Sequence, residues 1–340
     1  MRRYEISEPK GIGALQSVER DSPRPGPGQV LIEMKAWSLN YRDLSMPRGG
    51  YPGNDKVLRA PPLIPLSDGA GVVLEVGSGV TRLAPGDRVV TSFFQRWVDG
   101  ELTADGKQSA LGGAIDGVLS EHVVLDQEGC VVAPPSLSFE EAATLPCAGV
   151  TAWVGLFKHG RLQRDQFVLL EGTGGVSIFG LQFAAAAGAK PIITSSSDAK
   201  LDRARGLGAV ATINYRTHPE WQEQVRAATK GAGVSHVLEI GGKDTLPKAL
   251  AALGLGGHVA LIGGLTGFEG SVDVGAVTGR LGTMTSIYVG SREDFEAMNQ
   301  FIARQKLKPV IDRVFTFEEA PAAFEYLESG SHFGKVAIRL

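Results

Sequence analysis

Residues 167–190, FVLLEGTGGVSIFGLQFAAAAGAK, decide the fold. Four apolar residues read as a strand. Gly172, Thr173, Gly174 and Gly175 read as a tight turn, and a helix opens at Gly175 and Val176. In this context a glycine turn points to a pyrophosphate. The first glycine permits the turn, the second lets backbone N–H groups approach, and the helix N-terminus favours negative charge. The third glycine of G-x-G-x-x-G would fall at 177, where the chain has Ser177; a small residue still allows close helix–strand packing.

Strand and helix patterns alternate from this point to about residue 290. Strands are expected at 167–171, 190–194, 210–213, 235–240, 257–262 and 284–289, and helices at 175–187, 198–207, 218–229 and 243–253. Such alternation implies an α/β, doubly wound parallel sheet. The strand cores FVLL, PIIT, HVLEI and HVALI are continuous apolar runs, as helices on both faces require.

Upstream, QVLIEMKAW (29–37), GAGVVLEV (69–76), DRVVTSFF (87–94) and SEHVVLD (120–126) read as short strands between Pro/Gly turns. Residues 95–117 are polar and Gly-rich and read as one long loop. Ser138 and Glu141 form a capping-box pattern, and a second helix is expected over 148–158. The tail predicts helices near 292–304 and 318–328 and a last strand, KVAIRL, free to rejoin the β-rich part.

Composition narrows the function. The 340 residues favour two domains, and 43% hydrophobic with 21% charged residues is ordinary for a globular chain. A net charge of −3 without a long basic run argues against nucleic acid or an anionic membrane as the main partner. No apolar run is long enough to span a bilayer. The N-terminus MRRYEISEPK lacks the apolar core of a secretory signal, and two cysteines make no disulfide framework, so a cytoplasmic location is expected. The 45 glycines follow no fixed period.

The end of the second strand bears on the cofactor. An NAD site usually places a carboxylate there for the ribose 2′-hydroxyl. Here the chain has Ser195, Ser196 and Ser197, with Lys200 one turn on; hydroxyls and an ammonium suit a 2′-phosphate, while Asp198 counts against it. The opposing reading is a plain serine cap and a solvated lysine.

The segments PGPGQVLIEMKAWSLNYRDL, GAGVVLEVGSGVTRLAPGDRVV, GVLSEHVVLD, GHVALIGGL and SHFGKVAIRL, in this order around the glycine turn, resemble the medium-chain dehydrogenase/reductase superfamily. The resemblance covers the whole chain. It implies a GroES-like β-rich catalytic domain at 1–147 and 291–340, a Rossmann cofactor-binding domain at 148–290, and an active cleft between them. The chain looks closest to the zinc-independent quinone-oxidoreductase branch and zinc-less alcohol-dehydrogenase-like proteins. Zinc-dependent members have Cys where this chain has Asn40 and a His-Glu pair where it has Ser67 and Asp68; their last cysteine ligand falls on Cys147. Their structural-zinc cluster of four cysteines is missing, and only Cys130 remains, at an unrelated place. A lone Cys147 beside Asn, Ser and Asp makes a poor soft-metal site, so it reads as packing and no metal is expected.

The same resemblance places Ser196, Lys200 and Tyr215 around a 2′-phosphate and favours NADPH over NADH. It places Gly241, Ile262, Gly263, Gly264, Ile287 and Tyr288 at the nicotinamide, and His332, Phe333 and Gly334 on a segment closing over the cofactor. Without a metal, the charge developing on the acceptor oxygen needs another sink. A quinone or enone supplies one by delocalisation. Asn40 is the expected hydrogen-bond donor to that oxygen. Tyr41 contacts cofactor or substrate, Arg42 adds positive potential, and Asp43 orients its neighbours. Phe94 and Trp97 either wall the acceptor site or pack as core. The expected partner is a small carbonyl acceptor, and the resemblance implies a homodimer, or a tetramer, with strand 284–289 pairing across the two-fold axis. Two alternatives stand: a zinc-less alcohol dehydrogenase or ketone reductase, and a non-catalytic NADPH-binding structural or RNA-binding protein.

Overall fold

The computed structural model describes residues 1–50 and 61–340. In chain order its strands are β1 (Arg2–Ile6), β2 (Leu15–Glu19), β3 (Gln29–Leu39), β4 (Asp68–Val76), β5 (Arg88–Thr91), β6 (His122–Asp126), β7 (Cys130–Val132), β8 (Phe167–Leu170), β9 (Lys190–Ser195), β10 (Ala211–Asn214), β11 (Val234–Glu239), β12 (Leu253–Leu261), β13 (Thr283–Ser286), β14 (Ile311–Thr316) and β15 (Lys335–Arg339). They divide between two compact units, Met1–Val150 with Val289–Leu340, and Thr151–Tyr288.

In the second unit, β8 to β13 form one parallel sheet ordered β10-β9-β8-β11-β12-β13. Helices Gly175–Ala186, Asp198–Gly206, Trp221–Ala228 and Leu246–Ala252 make the crossovers that parallel pairing requires. The order reverses between β8 and β11, so the turns after these strands flank the crevice where such sheets bind ligands. Leu169, Ile192, Val237 and Val259 are completely buried in the sheet, each worth roughly 1.5–3 kcal/mol on burial. The last strand is shorter than expected: β13 ends at Ser286, and Ile287 and Tyr288 lie beyond it.

In the first unit, β14-β15-β3-β4-β5-β7 follow in one sheet, with β6 also pairing β3, while β1 and β2 form a hairpin. The C-terminal strand does rejoin this unit. β15 lies between β14, parallel, and β3, antiparallel. Trp37, Phe317, Phe324, Val336 and Ile338 fill the core beneath it, and Trp37 meets Phe317 at 5.1 Å between ring centres. The stretch 95–117 is less irregular than its composition suggests. Thr103 caps a short helical turn, Ala104–Lys107, and Arg96 pairs with Asp105 at 2.8 Å. Ser138 caps Phe139–Ala143 as expected, accepting from Glu141 N–H. Helical turns then run from Leu145 to His159, with π-type geometry at 145–149 and 154–159.

Candidate active site

The candidate cofactor-binding residues lie at the switch point. Gly172 has φ +70°, which favours glycine, and its N–H donates to Thr194 Oγ1 at 3.2 Å. Gly174 is the N-cap of Gly175–Ala186 and offers no side chain, so the first helical amides, from Gly175 and Val176 onward, have no side-chain cap. That arrangement fits an anionic pyrophosphate. Thr173 is buried beside it. Ser177 is also buried, and its hydroxyl donates to the Glu171 carbonyl at 2.5 Å. Close packing, the third glycine's usual task, is carried by Gly180 instead. A Cβ there would lie 2.8 Å from Leu170 Cδ2 and 2.8 Å from Leu238 Cδ1.

The β9 end gathers the 2′-phosphate candidates. Asn214 on β10 pairs with Ser195 on β9, and Tyr215 N–H donates to Ser195 O at 3.1 Å. Ser197 caps the next helix, accepting from Lys200 N–H at 3.4 Å, and Ser195 Oγ accepts from Ser197 N–H at 3.3 Å. Ser196 lies between these two on a half-buried turn, and Tyr215 is exposed. Asp198, the one carboxylate here, accepts from Asn214 Nδ2 at 2.8 Å.

Past β11 and β12 the chain makes two turns that pack on each other. Ile262 N–H donates to Glu239 O at 2.9 Å, and Thr266 N–H donates to Gly241 O at 2.7 Å. A Cβ on Gly263 would lie 2.4 Å from Ile240 O, one on Gly241 2.2 Å from Thr245 Oγ1, and one on Gly264 2.6 Å from the Phe268 ring. These glycines are fixed by packing, whatever else they contact. Ile287 is buried and Tyr288 exposed.

Sequence reasoning missed a buried acid pair at the switch point. Glu171 follows β8 and Glu239 ends β11. Glu239 accepts from the N–H of Gly241 and of Gly242, each at 3.0 Å, and from the Thr245 hydroxyl. Burial, then the neighbouring Glu239 charge, holds the Glu171 carboxyl well above its usual range.

The acceptor-side candidates lie in the first unit. Asn40 follows β3, and its N–H donates to Asp43 Oδ2 at 2.7 Å. Asp43 is completely buried, and burial pushes its carboxyl up to about 6 against the pull of Arg42. The Asn40–Asp43 contact closes a capping box on the Tyr41–Leu44 turn. Arg42 donates to Leu111 O at 2.8 Å and stacks on Phe93, 4.6 Å from the ring centre. Tyr41 is 55% exposed. Phe94 is core, edge-on to Trp97.

The four positions singled out for metal come together around Asp68. Ser67 Oγ donates to Asp68 Oδ1 at 2.6 Å, and Cys147 N–H donates to Asp68 Oδ2 at 3.2 Å. A lysine joins them. Lys335 Nζ donates to Asn40 Oδ1 at 2.6 Å and to Leu39 O. Burial pushes Asp68 up and Lys335 down, and each one's charge opposes the other's shift. The Asn40 amide also favours the Asp68 charge, although Nδ2 closes no hydrogen bond of good geometry. Cys147 keeps some exposure as a residue, but burial of its thiol, with the Asp68 charge second, pushes the pKa upward and keeps the sulfur protonated. Cys130 is likewise held up, to about 12. Gly334, with φ +81°, turns the chain into β15, and Phe333 beside it is core; His332 precedes them.

An amide, a hydroxyl and a lone thiol, with one carboxylate that already accepts from that hydroxyl and from the Cys147 N–H, do not match the ligand set of a zinc site. Among the described residues, no three His, Cys, Asp or Glu side chains form a group suited to a metal ion.

A doubly wound sheet with an uncapped glycine turn at its switch point, in one chain with a β-rich unit that traps polar side chains, is the frame of a two-domain, dinucleotide-binding protein. Comparison with known proteins agrees. Residues 26–135 match the alcohol dehydrogenase GroES-like domain and residues 175–304 the zinc-binding dehydrogenase family. A zinc-type alcohol dehydrogenase-like protein of Schizosaccharomyces pombe is 43% identical over 347 residues, covering 99% of each chain. The crystal structure of a candidate alcohol dehydrogenase from Sinorhizobium meliloti 1021 superposes with a TM-score of 0.92 at 42% identity, covering 100% of this chain and 99% of that one. A 2-methylene-furan-3-one reductase of Solanum lycopersicum is 32% identical, over 91% of this chain and 71% of its own. The chain belongs to the medium-chain dehydrogenase/reductase superfamily and is an NAD(P)-dependent oxidoreductase.

Proposed function

We propose that the chain is a zinc-independent reductase that uses NADPH to reduce a quinone, an enone or a related small carbonyl acceptor. The observation that carries the reading is the Asn40–Asp68–Lys335 cluster: an amide and a carboxylate stand at positions the resemblance gives to a metal's ligands, and the Lys335 ammonium is bonded to that amide. When bound, the dinucleotide supplies the hydride. Asn40 donates from Nδ2 to the acceptor oxygen, which in a conjugated acceptor carries only part of the developing charge. Asp43 holds the Asn40 backbone. Ser195, Ser196, Ser197, Lys200 and Tyr215 support the choice of NADPH, because hydroxyls and an ammonium suit phosphate oxygens. The tomato relative, named for a ketone conjugated to a methylene group, is consistent with this acceptor class.

A second reading, a simple ketone or alcohol as substrate, is favoured by the descriptions of the S. pombe and S. meliloti relatives. Steady-state turnover with NADPH and NADH against a quinone, an enone and a simple ketone separates the two, with zinc measured in the same preparation. We expect kcat/KM for the enone or quinone to exceed that for the ketone by at least about tenfold. Turnover of the ketone alone, in proportion to bound zinc, would sink the proposal.

A homodimer in the cytoplasm completes the reading. For the homodimer the support is an edge strand, β13, with Leu255 on β12 and Phe268, Val274 and Leu281 exposed between the two strands.

A further inference from the structure

We propose that Lys335 is the positioning residue of the acceptor site: its buried ammonium fixes the orientation of the Asn40 amide so that Nδ2 is presented to the acceptor oxygen. The inference deepens the function proposed above and rests on it.

An ammonium carries donors and no acceptor. The amide next to Lys335 Nζ must therefore present its oxygen, and the 2.6 Å contact to Asn40 Oδ1 is that pairing. The reverse orientation would set NH2 against NH3+. A second hydrogen bond, to Leu39 O, anchors the ammonium itself. The Asn40 backbone is held from the other side by Asp43 Oδ2. With Oδ1 and the backbone N–H both engaged, Nδ2 is left toward the Asp68 carboxylate, whose charge it favours without closing a hydrogen bond of good geometry. Asn40 is 9% exposed, and Nδ2 is buried without a hydrogen-bond partner of good geometry. A buried donor without a partner is costly, and such groups concentrate where function uses them.

Lys335 also brings positive charge to the place where zinc-dependent relatives hold their metal. Asp68 balances that charge in the resting site, with Asp43 adding to the negative side. Charge growing on the acceptor oxygen would meet an amide polarised by the ammonium behind it. Register alone brings the pair together. Val336 lies opposite Leu39 in the antiparallel β15–β3 pairing, which sets Lys335 beside Asn40 across 295 positions of sequence.

The test is a double-mutant cycle in the full chain with an enone acceptor and NADPH. Its variants are Asn40→Ala, Lys335→Met and the two combined, with kcat, KM, NADPH affinity and Tm measured for each. We expect Asn40→Ala and Lys335→Met each to lower kcat about 100-fold with NADPH affinity unchanged. The double variant should be no worse than Asn40→Ala within about threefold, because both changes remove the same donor. Lys335→Arg should recover part of the loss. Losses that multiply in the double variant, or a Lys335→Met effect seen only in Tm, would overturn the positioning role. An impaired Asn40→Ala with an unimpaired Lys335→Met sinks this inference alone, whereas two unimpaired variants sink the acceptor-site reading as well. Should Lys335→Met fail to fold, Lys335→Met/Asp68→Asn removes both charges and takes its place in the cycle.

Discussion

At the end of β8 the chain makes its cofactor side from backbone: a glycine at φ +70°, an N-cap without a side chain, and a helix close to the sheet. At the start of β15 the proposed acceptor side is made from side chains, with Asn40, Ser67, Asp68, Cys147 and Lys335 drawn from separate strands and turns. The first region tolerates little change in shape, because a backbone cradle has no rotamers with which to adjust. The second tolerates little change in charge, because a buried cation and carboxylate depend on each other. Each contrast can be tested by a change that should injure one region and spare the other.

Gly180→Val carries the largest expected effect on the backbone side. Two leucine methyl groups stand 2.8 Å from the position of a new Cβ, and both belong to central strands. We expect a loss of about 1–3 kcal/mol in stability, read as a lower Tm, and weaker dinucleotide binding as the helix is displaced. An unchanged Tm would show that the helix has room to move and that the cradle is softer than argued. Lys200→Ala follows. It should weaken NADPH binding about tenfold through one lost charge-assisted contact and leave NADH nearly unaffected. Equal losses for both dinucleotides would remove Lys200 from the 2′-phosphate.

These two residues also mark how far the sequence could be read. The strand–turn–helix at 167–190 is contiguous, so Gly172, Gly174 and the uncapped helix were legible from local pattern, as were the alternating strands behind them. The motif's third position was not. Ser177 breaks the glycine count, and nothing local indicates that Gly180 does the close packing, because that depends on which leucines the sheet places opposite. On the acceptor side Asn40 was identified through resemblance, while Lys335 was read only as part of a familiar terminal segment. Its chemistry depends on the pairing of β15 with β3, two strands 295 positions apart, and no local sequence feature says which strands will be neighbours. Glu171 and Glu239 escaped notice for a related reason. One follows β8 and the other ends β11, and only the adjacency of those two strands sets them side by side.

That acid pair sharpens the comparison, because it places titratable side chains on the backbone-built side. The folded-state pKa of Glu171 lies above its ordinary value of 4.5. Its bound proton therefore contributes stability that is fully present below 4.5 and lost as pH rises through the elevated folded value. Glu171→Gln keeps the shape and removes the titration. The Tm of the variant relative to that of the unaltered chain should rise as pH climbs above 4.5 and level off once Glu171 ionises in the folded chain. A constant difference throughout would mean that Glu171 is already ionised and paired at neutral pH.

Cys147→Ala carries the smallest expected effect. Its backbone N–H, not its sulfur, makes the recorded contact with Asp68, and that bond survives the substitution. The thiol is protonated, so removing it takes no charge from the cluster and leaves Lys335 and Asp68 balanced. We expect kcat within about threefold of the unaltered chain and a stability loss near 1 kcal/mol from the small volume vacated. A folded Cys147→Ala protein without turnover would require the sulfur to act as a thiolate. That state would need a stronger cation at the sulfur than the Lys335 ammonium, and the charge balance assigned to the acceptor side would then be wrong.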